Sequence, residues 1–379
     1  MAKRTNGEGT VRQRPNGQWE ARISYRGDDD KIVRRSFYGK TAADARRKMR
    51  EALKRVEQDL PPVDATATLA TWIDQWQASI LKVSSRKPAT KQLYELLARL
   101  HLKPAPFGAL TLAEVRPRHI DALVLHLRED KHLSGSTIRS TYTVLRSILD
   151  GAKRDALIAQ NPAERVPRPT VAQHEARHLS PAEVRRLLTA AEPSRYHAAL
   201  ALIAATGLRR GEALGLAWDD LELDKPVLHV RQTLGRVGHE LQLSTPKTEN
   251  SRRDVVLTPS VVALLRRHRK AQIVERLRAG DQWHDSGLVF ATETGSGVDG
   301  RNLLRVLQAA AKNANIDGVG LHTLRHSAAT AMLNAGIPLH VVSRILGHSS
   351  VSITGDIYGH IADTSQREAM DSLSAALGL

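Results

Sequence analysis

The stretch LHTLRHSAATAMLNAG, residues 321–336, combines an apolar helical face with charged and titratable side chains beside it. Its apolar positions repeat at helical spacing and are predicted to face a core: Leu321, Leu324 and Ala328. His322 and Arg325 each follow one of these leucines by one position, which predicts that both lie at the edge of the buried face. A fixed guanidinium beside an imidazole suits a phosphate group, because the guanidinium binds the phosphate oxygens and the imidazole holds or moves a proton.

The residues after this helix extend the candidate site. Gly336 is predicted to end the helix and Pro338 to begin the next one, which leads to LGH at 346–348. Tyr358 follows ten residues after His348. Alone, such a tyrosine is more often a core or surface aromatic than a nucleophile. Two short helices around a turn are also typical of a DNA-binding helix-turn-helix, which is the alternative interpretation of this region.

A metal site is the other alternative for this helix. His322 and His326 lie four residues apart, as two ligands on one helix face would. No glutamate directly follows His322, and this part of the sequence offers no clear third ligand. We therefore predict no metal here.

Two segments upstream add charged residues. ATGLRRGEALGLAW, residues 205–218, follows a buried helix and begins another, with Arg209 and Glu212 at i, i+3 on one face. Alone, such a pair is usually a structural ion pair. STPKTENSRRDVVLT, residues 244–258, predicts a β-hairpin with Lys247 at the end of a strand. Alone, a lysine near a turn is usually solvated.

Residues 1–60 are predicted to form a small domain with a β-sheet followed by a helix that Thr41 caps. Five arginines lie on or beside the strands: Arg12, Arg14, Arg22, Arg34 and Arg35. A basic sheet of this size is able to enter a DNA groove as a β-ribbon reader, and the alternative is a solvated face.

Residues 66–165 show only helical periodicity, which predicts an all-α bundle with Trp72 and Trp76 in its core. Prolines and polar residues separate this bundle from its neighbours, as in linkers. Residues 175–379 are predicted to form a third, mostly helical domain that Ser180 opens as a helix cap. Its short strands, between residues 221 and 257, are expected to form one small antiparallel sheet. The fold class is thus mainly α with small β-sheets.

The charge predicts a polyanionic partner, above all nucleic acid. The 379 residues carry a formal net charge of +16, and Lys and Arg outnumber Asp and Glu by 13 within residues 1–170. With no cysteine, disulfides, thiol nucleophiles and cysteine-ligated metals are excluded. The longest apolar stretch is far shorter than a membrane span, and no secretory signal is recognisable, so we expect a cytoplasmic protein without a membrane partner.

Five short motifs occur in one order: TGLRRGE, PKT, HTLRH, LGH and the tyrosine of DIYGH. In this order and spacing they resemble the active-site motifs of the tyrosine recombinases, the phage integrase family. The basic sheet with its helix resembles the arm-site-binding domain of that family, and the helical bundle resembles its core-DNA-binding domain. Nearly the whole chain is thus similar to the three-domain integrases of temperate phages and integrative elements.

The resemblance implies a role for each matching residue. Tyr358 is the expected nucleophile, Arg209 and Arg325 are expected to clamp the scissile phosphate, and Lys247 is the expected general acid for the leaving oxygen. His322 and His348 complete the implied site, and Glu212 matches the acidic residue that supports the first arginine. The tyrosine follows its histidine by ten residues, where many family members have nine.

The implied reaction cuts and rejoins DNA through a 3′-phosphotyrosyl intermediate, for integration and also excision of a mobile element. Two arginines supply the positive charge that a carboxylate-bound metal ion otherwise supplies, and no phosphate-binding loop for ATP is found, so we expect no cofactor and no metal. The implied partners are double-stranded DNA at attachment sites and three further copies of the chain in a homotetramer. A host DNA-bending protein and an excision factor are candidate further partners.

Two other classes remain as alternatives: a type IB topoisomerase, and a non-catalytic regulator that binds DNA through the helix-turn-helix-like region. The segment after Tyr358 carries an amphipathic stripe: Met370, Leu373, Ala376 and Leu377. We expect this stripe to dock on a neighbouring subunit, with folding back onto its own domain as the alternative.

Overall fold

The computed structural model describes residues 9–15, 17–26, 32–56, 67–171, 177–245, 251–348 and 350. The chain divides into two compact units, Met1–Gln173 and His174–Leu379. Among the described residues, no helix is both long and apolar enough to span a lipid bilayer.

The first unit begins with an antiparallel sheet in the order β1-β2-β3, followed by a helix. The strands and the helix are β1 (Thr10–Gln13), β2 (Trp19–Arg26), β3 (Ile32–Gly39) and α1 (Ala42–Val56). The Thr41 hydroxyl accepts a hydrogen bond from the Asp44 amide at 3.1 Å, which confirms the predicted cap. One face of the sheet packs against α1, and the buried residues are Ala21, Ile23, Phe37, Ala45, Met49 and Ala52.

A helical bundle with its own core follows in the same unit. Its helices are α2 (Leu69–Trp76), α3 (Pro88–Leu97), α4 (Pro117–Glu129) and α5 (Gly135–Arg154), and π-helical turns at Gln77–Leu81 and Ala98–Leu102 extend α2 and α3. Trp72 and Trp76 are buried, as predicted, and Trp72 Nε1 donates to the Ile148 carbonyl at 2.9 Å. Ser134 caps α5. That helix ends at Arg154.

The second unit is mostly helical. Its helices are α6 (Pro181–Ala191), α7 (His197–Thr206), α8 (Arg210–Leu214), α9 (Pro259–Ala279), α10 (Gly300–Asn313), α11 (Leu321–Asn334) and α12 (Leu339–Leu346). Ser180 and Glu183 form a reciprocal capping box at the start of α6, which confirms the predicted cap. Helix α7 is buried at the centre, where Leu200, Leu202 and Ile203 share a core with Leu324 of α11.

The strands of this unit are β4 (Leu221–Glu222), β5 (Val227–Val230), β6 (Thr233–Val237), β7 (Glu240–Ser244) and β8 (Arg253–Val256). They form two sheets, one in the order β4-β5-β8 and one of β6 with β7. The predicted single sheet is therefore wrong, and so is the predicted hairpin across residues 244–258. A tight turn at Gly238, with φ of 62°, joins β6 directly to β7. Strand β8 instead aligns Val255 with Leu228 of β5, which buries both side chains.

Candidate active site

The site starts where α7 ends. Gly207 closes that helix in the left-handed conformation, with φ of 67°, and a Cβ atom there would lie 2.5 Å from a Leu346 methyl group. Arg209 then caps α8, and its amide donates to Glu212 Oε2 at 2.9 Å. Its Nη1 donates to Glu212 Oε1 at 2.7 Å, which confirms the predicted ion pair. The Arg209 side chain is 36% exposed, so its guanidinium lies at the edge of the fold while the carboxylate is buried.

A second arginine, Arg253 at the start of β8, binds the same carboxylate. Its Nη2 donates to Glu212 Oε2 at 2.9 Å, and its side chain is only 5% exposed. Burial alone would raise the pKa of Glu212, but the hydrogen bond and charge of Arg253, together with Arg209, lower it below its ordinary value. The carboxylate is therefore ionised at neutral pH. Arg253 was not among the predicted site residues, although strand alternation from the apolar Val255 marks it as inward-facing.

The structure buries Arg325, which was predicted at the edge of the apolar face of α11. Arg325 is 5% exposed, whereas the side chain of His322, three residues earlier on the same helix, is exposed. Arg325 Nη1 donates to the Gly207 carbonyl at 2.7 Å and Nη2 donates to the Leu346 carbonyl at 2.8 Å. The prediction was wrong because these carbonyls, distant in sequence, compensate the burial of the guanidinium.

Three guanidinium groups meet at the carboxyl end of α12, and we call them the arginine cluster: Arg209, Arg253 and Arg325. Each donates to one of three consecutive backbone carbonyls. Arg253 donates to the carbonyl of Ile345 at 2.5 Å, Arg325 to that of Leu346 at 2.8 Å, and Arg209 to that of Gly347 at 2.9 Å. The last carbonyls of a helix have no partner within the helix and lie at its negative end, so cations are favoured there. The cluster thereby fixes the backbone that carries His348.

His348 is partly buried directly after this helix end. Burial lowers the pKa of His348 to about 4, and the charges of Arg325 and Arg209 act in the same direction. His348 is therefore neutral at pH 7, and its imidazole is able to accept or donate a hydrogen bond without adding to the positive charge of the cluster.

This shift predicts how stability depends on pH. The unfolded chain binds a proton on His348 below about pH 6.5, whereas the folded chain does so only near pH 4. Stability that is complete above pH 6.5 is therefore lost as the pH falls towards 4. Urea unfolding of the wild type and of His348→Gln at pH 5 and pH 7 measures this contribution. The wild type is expected to lose more stability between the two pH values, and equal losses would refute the assignment.

The two histidines of α11 lie beside the cluster. The ring centroids of His322 and His326 are 6.4 Å apart. Although the His322 side chain is exposed, loss of part of its hydration to neighbouring residues, followed by the charge of Arg325, lowers its pKa, so it too is neutral at pH 7. Within the part of the chain that the structure describes, no group of three His, Asp or Glu residues of metal-binding geometry is found. Lys247 and Tyr358 fall outside the described residues.

The five N-terminal arginines divide between the faces of their sheet. Strand register puts Arg12, Arg22 and Arg34 on the face opposite α1, whereas Arg35 pairs with Ile23 on the helix side. On the open face, Arg12, Arg14 and Arg22 all bind Glu20, at 2.8, 3.2 and 3.0 Å. The hydrogen bonds from Ser36 and from these arginines hold the pKa of Glu20 far below its usual range.

Residues 177–365, which include the arginine cluster, match the model of the phage integrase family. Over 99% of its length the chain is 29% identical to a XerC-like tyrosine recombinase of Caldanaerobacter subterraneus subsp. tengcongensis, and the match covers 99% of that protein. The chain belongs to the phage integrase family of tyrosine recombinases. It is therefore a site-specific recombinase of the kind that moves mobile elements by tyrosine chemistry, as predicted, which disfavours the topoisomerase and the non-catalytic regulator.

Two solved structures show the same fold as this tyrosine recombinase. The Tn1549 transposon integrase, in complex with transposon right end DNA, matches 81% of this chain and 99% of its own, with a TM-score of 0.68 and 21% identity. A lambda integrase tetramer bound to a Holliday junction matches 94% of this chain and 96% of its own, with a TM-score of 0.60 and 16% identity. The predicted fold class, mainly helical with small antiparallel sheets, is confirmed.

Proposed function

We propose that the chain is an integrase that cuts and rejoins double-stranded DNA at attachment sites through a 3′-phosphotyrosyl bond to Tyr358. The observation that carries this proposal is the arginine cluster, which concentrates positive charge at the end of α12, twelve residues before that tyrosine. The family match supports it, since it extends over residues 177–365 and so includes the tyrosine.

The charge of the cluster suits the transition state of phosphoryl transfer. As the nucleophile approaches in line, negative charge spreads over the non-bridging oxygens of the phosphate. A guanidinium group carries a permanent positive charge and binds two such oxygens at once, and Arg209 and Arg325 each supply one. We therefore assign both to the scissile phosphate. The arginines supply the positive charge that metal ions supply in other phosphoryl-transfer enzymes, so the proposal includes neither a metal nor a cofactor.

Proton transfer is assigned to the remaining residues. A tyrosine phenol ordinarily has a pKa of about 10, so the proton of Tyr358 must be removed as it attacks, and neutral His322 is the candidate base. Lys247 is proposed to protonate the leaving 5′ oxygen. His348, neutral beside the cluster, completes the hydrogen bonding at the phosphate. The phosphotyrosyl ester conserves the energy of the broken bond, so the 5′-hydroxyl of a partner strand reverses the step without ATP.

The proposal extends to domains and partners. We infer three domains, at residues 1–60, 66–165 and 175–379, of which the first two grip DNA at arm and core sites. A homotetramer on DNA is supported by the lambda integrase tetramer, and the stripe after Tyr358 is proposed to link neighbouring subunits. Double-stranded DNA as a partner is supported by the complexes of both integrases. A host DNA-bending protein and an excision factor are proposed as further partners, with the bacterial cytoplasm as the location.

The proposal is tested with purified full-length protein and duplex DNA that flanks its own gene, in buffer with a metal chelator. One strand is nicked beside each candidate cleavage position, so that the short leaving strand diffuses away and the adduct accumulates. The expected result is an SDS-resistant protein–DNA adduct with the protein at the 3′ end and a free 5′-hydroxyl on the other side. Cleavage that leaves no protein on the DNA, or that needs a divalent metal, would contradict the proposal.

A further inference from the structure

We propose that Arg253 is a positioning residue of the recombination site, which acts on Arg209 through Glu212 and on His348 through the end of α12. It lies outside the five motifs that carry the family resemblance. Because its role presupposes the proposed cleavage at Tyr358, the wild-type protein must first form the adduct.

The first connection runs through Glu212, which the two arginines share. Arg209 Nη1 binds Oε1 at 2.7 Å, while Arg253 Nη2 and the Arg209 amide bind Oε2, both at 2.9 Å. The Glu212 side chain is 1% exposed, so these donors replace its water. With one arginine alone, the buried carboxylate would neutralise that arginine. With two arginines bound to it, a net positive charge remains. Arg209 is the more exposed of the two, so it is the one able to place this charge against a phosphate.

The second connection runs through the backbone. Arg253 Nε donates to the Ile345 carbonyl at 2.5 Å, and Nη1 donates to the Ser251 carbonyl at 3.2 Å. Arg253 thus ties the start of β8 to the last turn of α12. Gly347, with φ of 67°, lies so close that a Cβ atom there would be 2.7 Å from Arg253 Nη1. The residue after this glycine is His348.

The side chain at 253 must be an arginine to make all of these contacts. Nε, Nη1 and Nη2 each reach a different acceptor, on three different segments of the chain. A lysine ammonium is a point donor and is unable to reach three separated acceptors with the same geometry. Arg253→Lys therefore keeps the charge but loosens both connections. A misplacement of about 1 Å in an active site costs on the order of a hundredfold in rate.

The test compares two DNA substrates that differ only at the scissile phosphate, one with a normal phosphodiester and one with a neutral methylphosphonate. On the phosphodiester, Arg253→Lys is expected to slow single-turnover adduct formation by about a hundredfold with unchanged DNA affinity. On the methylphosphonate the defect is expected to shrink to a few-fold, because a neutral phosphorus centre needs no clamp by Arg209. Equal losses on both substrates would overturn the proposal, since a merely structural role lowers both rates alike.

A double-mutant cycle tests the path through Glu212. Glu212→Gln and Arg253→Lys are expected to be non-additive, with the double variant no slower than the slower single variant. If the rate defects of the two single variants multiplied in the double variant, the path through Glu212 would be overturned. If Arg253→Lys does not unfold cooperatively, the comparison of the two DNA substrates is made with Glu212→Gln alone, because glutamine keeps the shape of the glutamate side chain.

The matched control is Arg195→Lys, which loosens another partly buried ion pair of the same domain, 2.6 Å from Arg195 Nη2 to Glu275. It is expected to cleave at the wild-type rate, and a loss equal to that of Arg253→Lys would overturn the assignment. An Arg253→Lys protein as fast as wild type would refute the positioning role and leave the proposed function standing. A wild-type protein without adduct would refute the proposed function itself, and the role of Arg253 with it.

Discussion

Tyr358→Phe is expected to abolish the covalent DNA adduct completely while DNA affinity remains that of the wild type. Phenylalanine keeps the ring but removes the only atom able to attack phosphorus. The chain has no cysteine, so a thiol is unable to substitute for the lost hydroxyl. The measurement is adduct formation on the nicked substrate beside a gel-shift titration on the intact duplex. A Tyr358→Phe protein that still forms an adduct would show that another residue is the nucleophile.

A matched control is Tyr196→Phe. Tyr196 lies in the same domain, and burial raises the pKa of its phenol, which makes it a poorer nucleophile than an exposed tyrosine. This variant is expected to form the adduct at the wild-type rate. Loss of adduct from both variants would point to a general effect of removing a phenol rather than to one reacting tyrosine.

Arg325→Lys is expected to reduce the rate of adduct formation by about a thousandfold, the upper range for loss of one preorganised donor to a developing oxyanion. The arginine binds two carbonyls, of Gly207 and Leu346, and these contacts hold its guanidinium in one orientation. Lysine reaches at most one of them with similar geometry and lacks the bidentate fork. The free energy of unfolding is expected to fall by about 1–3 kcal/mol, because a buried carbonyl loses its donor.

The two effects of Arg325→Lys are separable. Thermal unfolding gives the loss of stability, and single-turnover cleavage well below the melting temperature gives the loss of rate in folded protein. Arg195→Lys again serves as the control, since Arg195 binds Glu275 outside the arginine cluster. A folded Arg325→Lys protein that cleaves within tenfold of the wild type would contradict a direct contact with the phosphate.

Sequence was sufficient where the deciding interactions are local. The caps at Thr41 and Ser180 were predictable because each hydroxyl binds an amide three residues later in the same chain segment. The ion pair of Arg209 with Glu212 is local in the same way, at i, i+3. The burial of both tryptophans in the helical bundle followed from their position on an apolar stripe.

Sequence was insufficient where partners are far apart along the chain. Strand β8 pairs with β5 and not with β7, and this pairing places Leu228 opposite Val255 in the core of the unit. Burial of Arg325 depends on a carbonyl 118 residues away and on the end of α12. Arg253 was overlooked because a basic residue beside a turn usually faces water, yet its alternation with Val255 already indicates an inward side chain.

The most direct test of the central claim is to identify the amino acid that holds the DNA. The adduct formed without metal is digested with nuclease and then trypsin, and the peptide that retains a nucleotide is sequenced by mass spectrometry. Cleavage after Arg344 and Arg367 gives a peptide, residues 345–367, whose only tyrosine is Tyr358. The proposed function predicts a nucleotide on this tyrosine, linked through its 3′-phosphate. A nucleotide on any other residue, or a 5′ linkage, would contradict it.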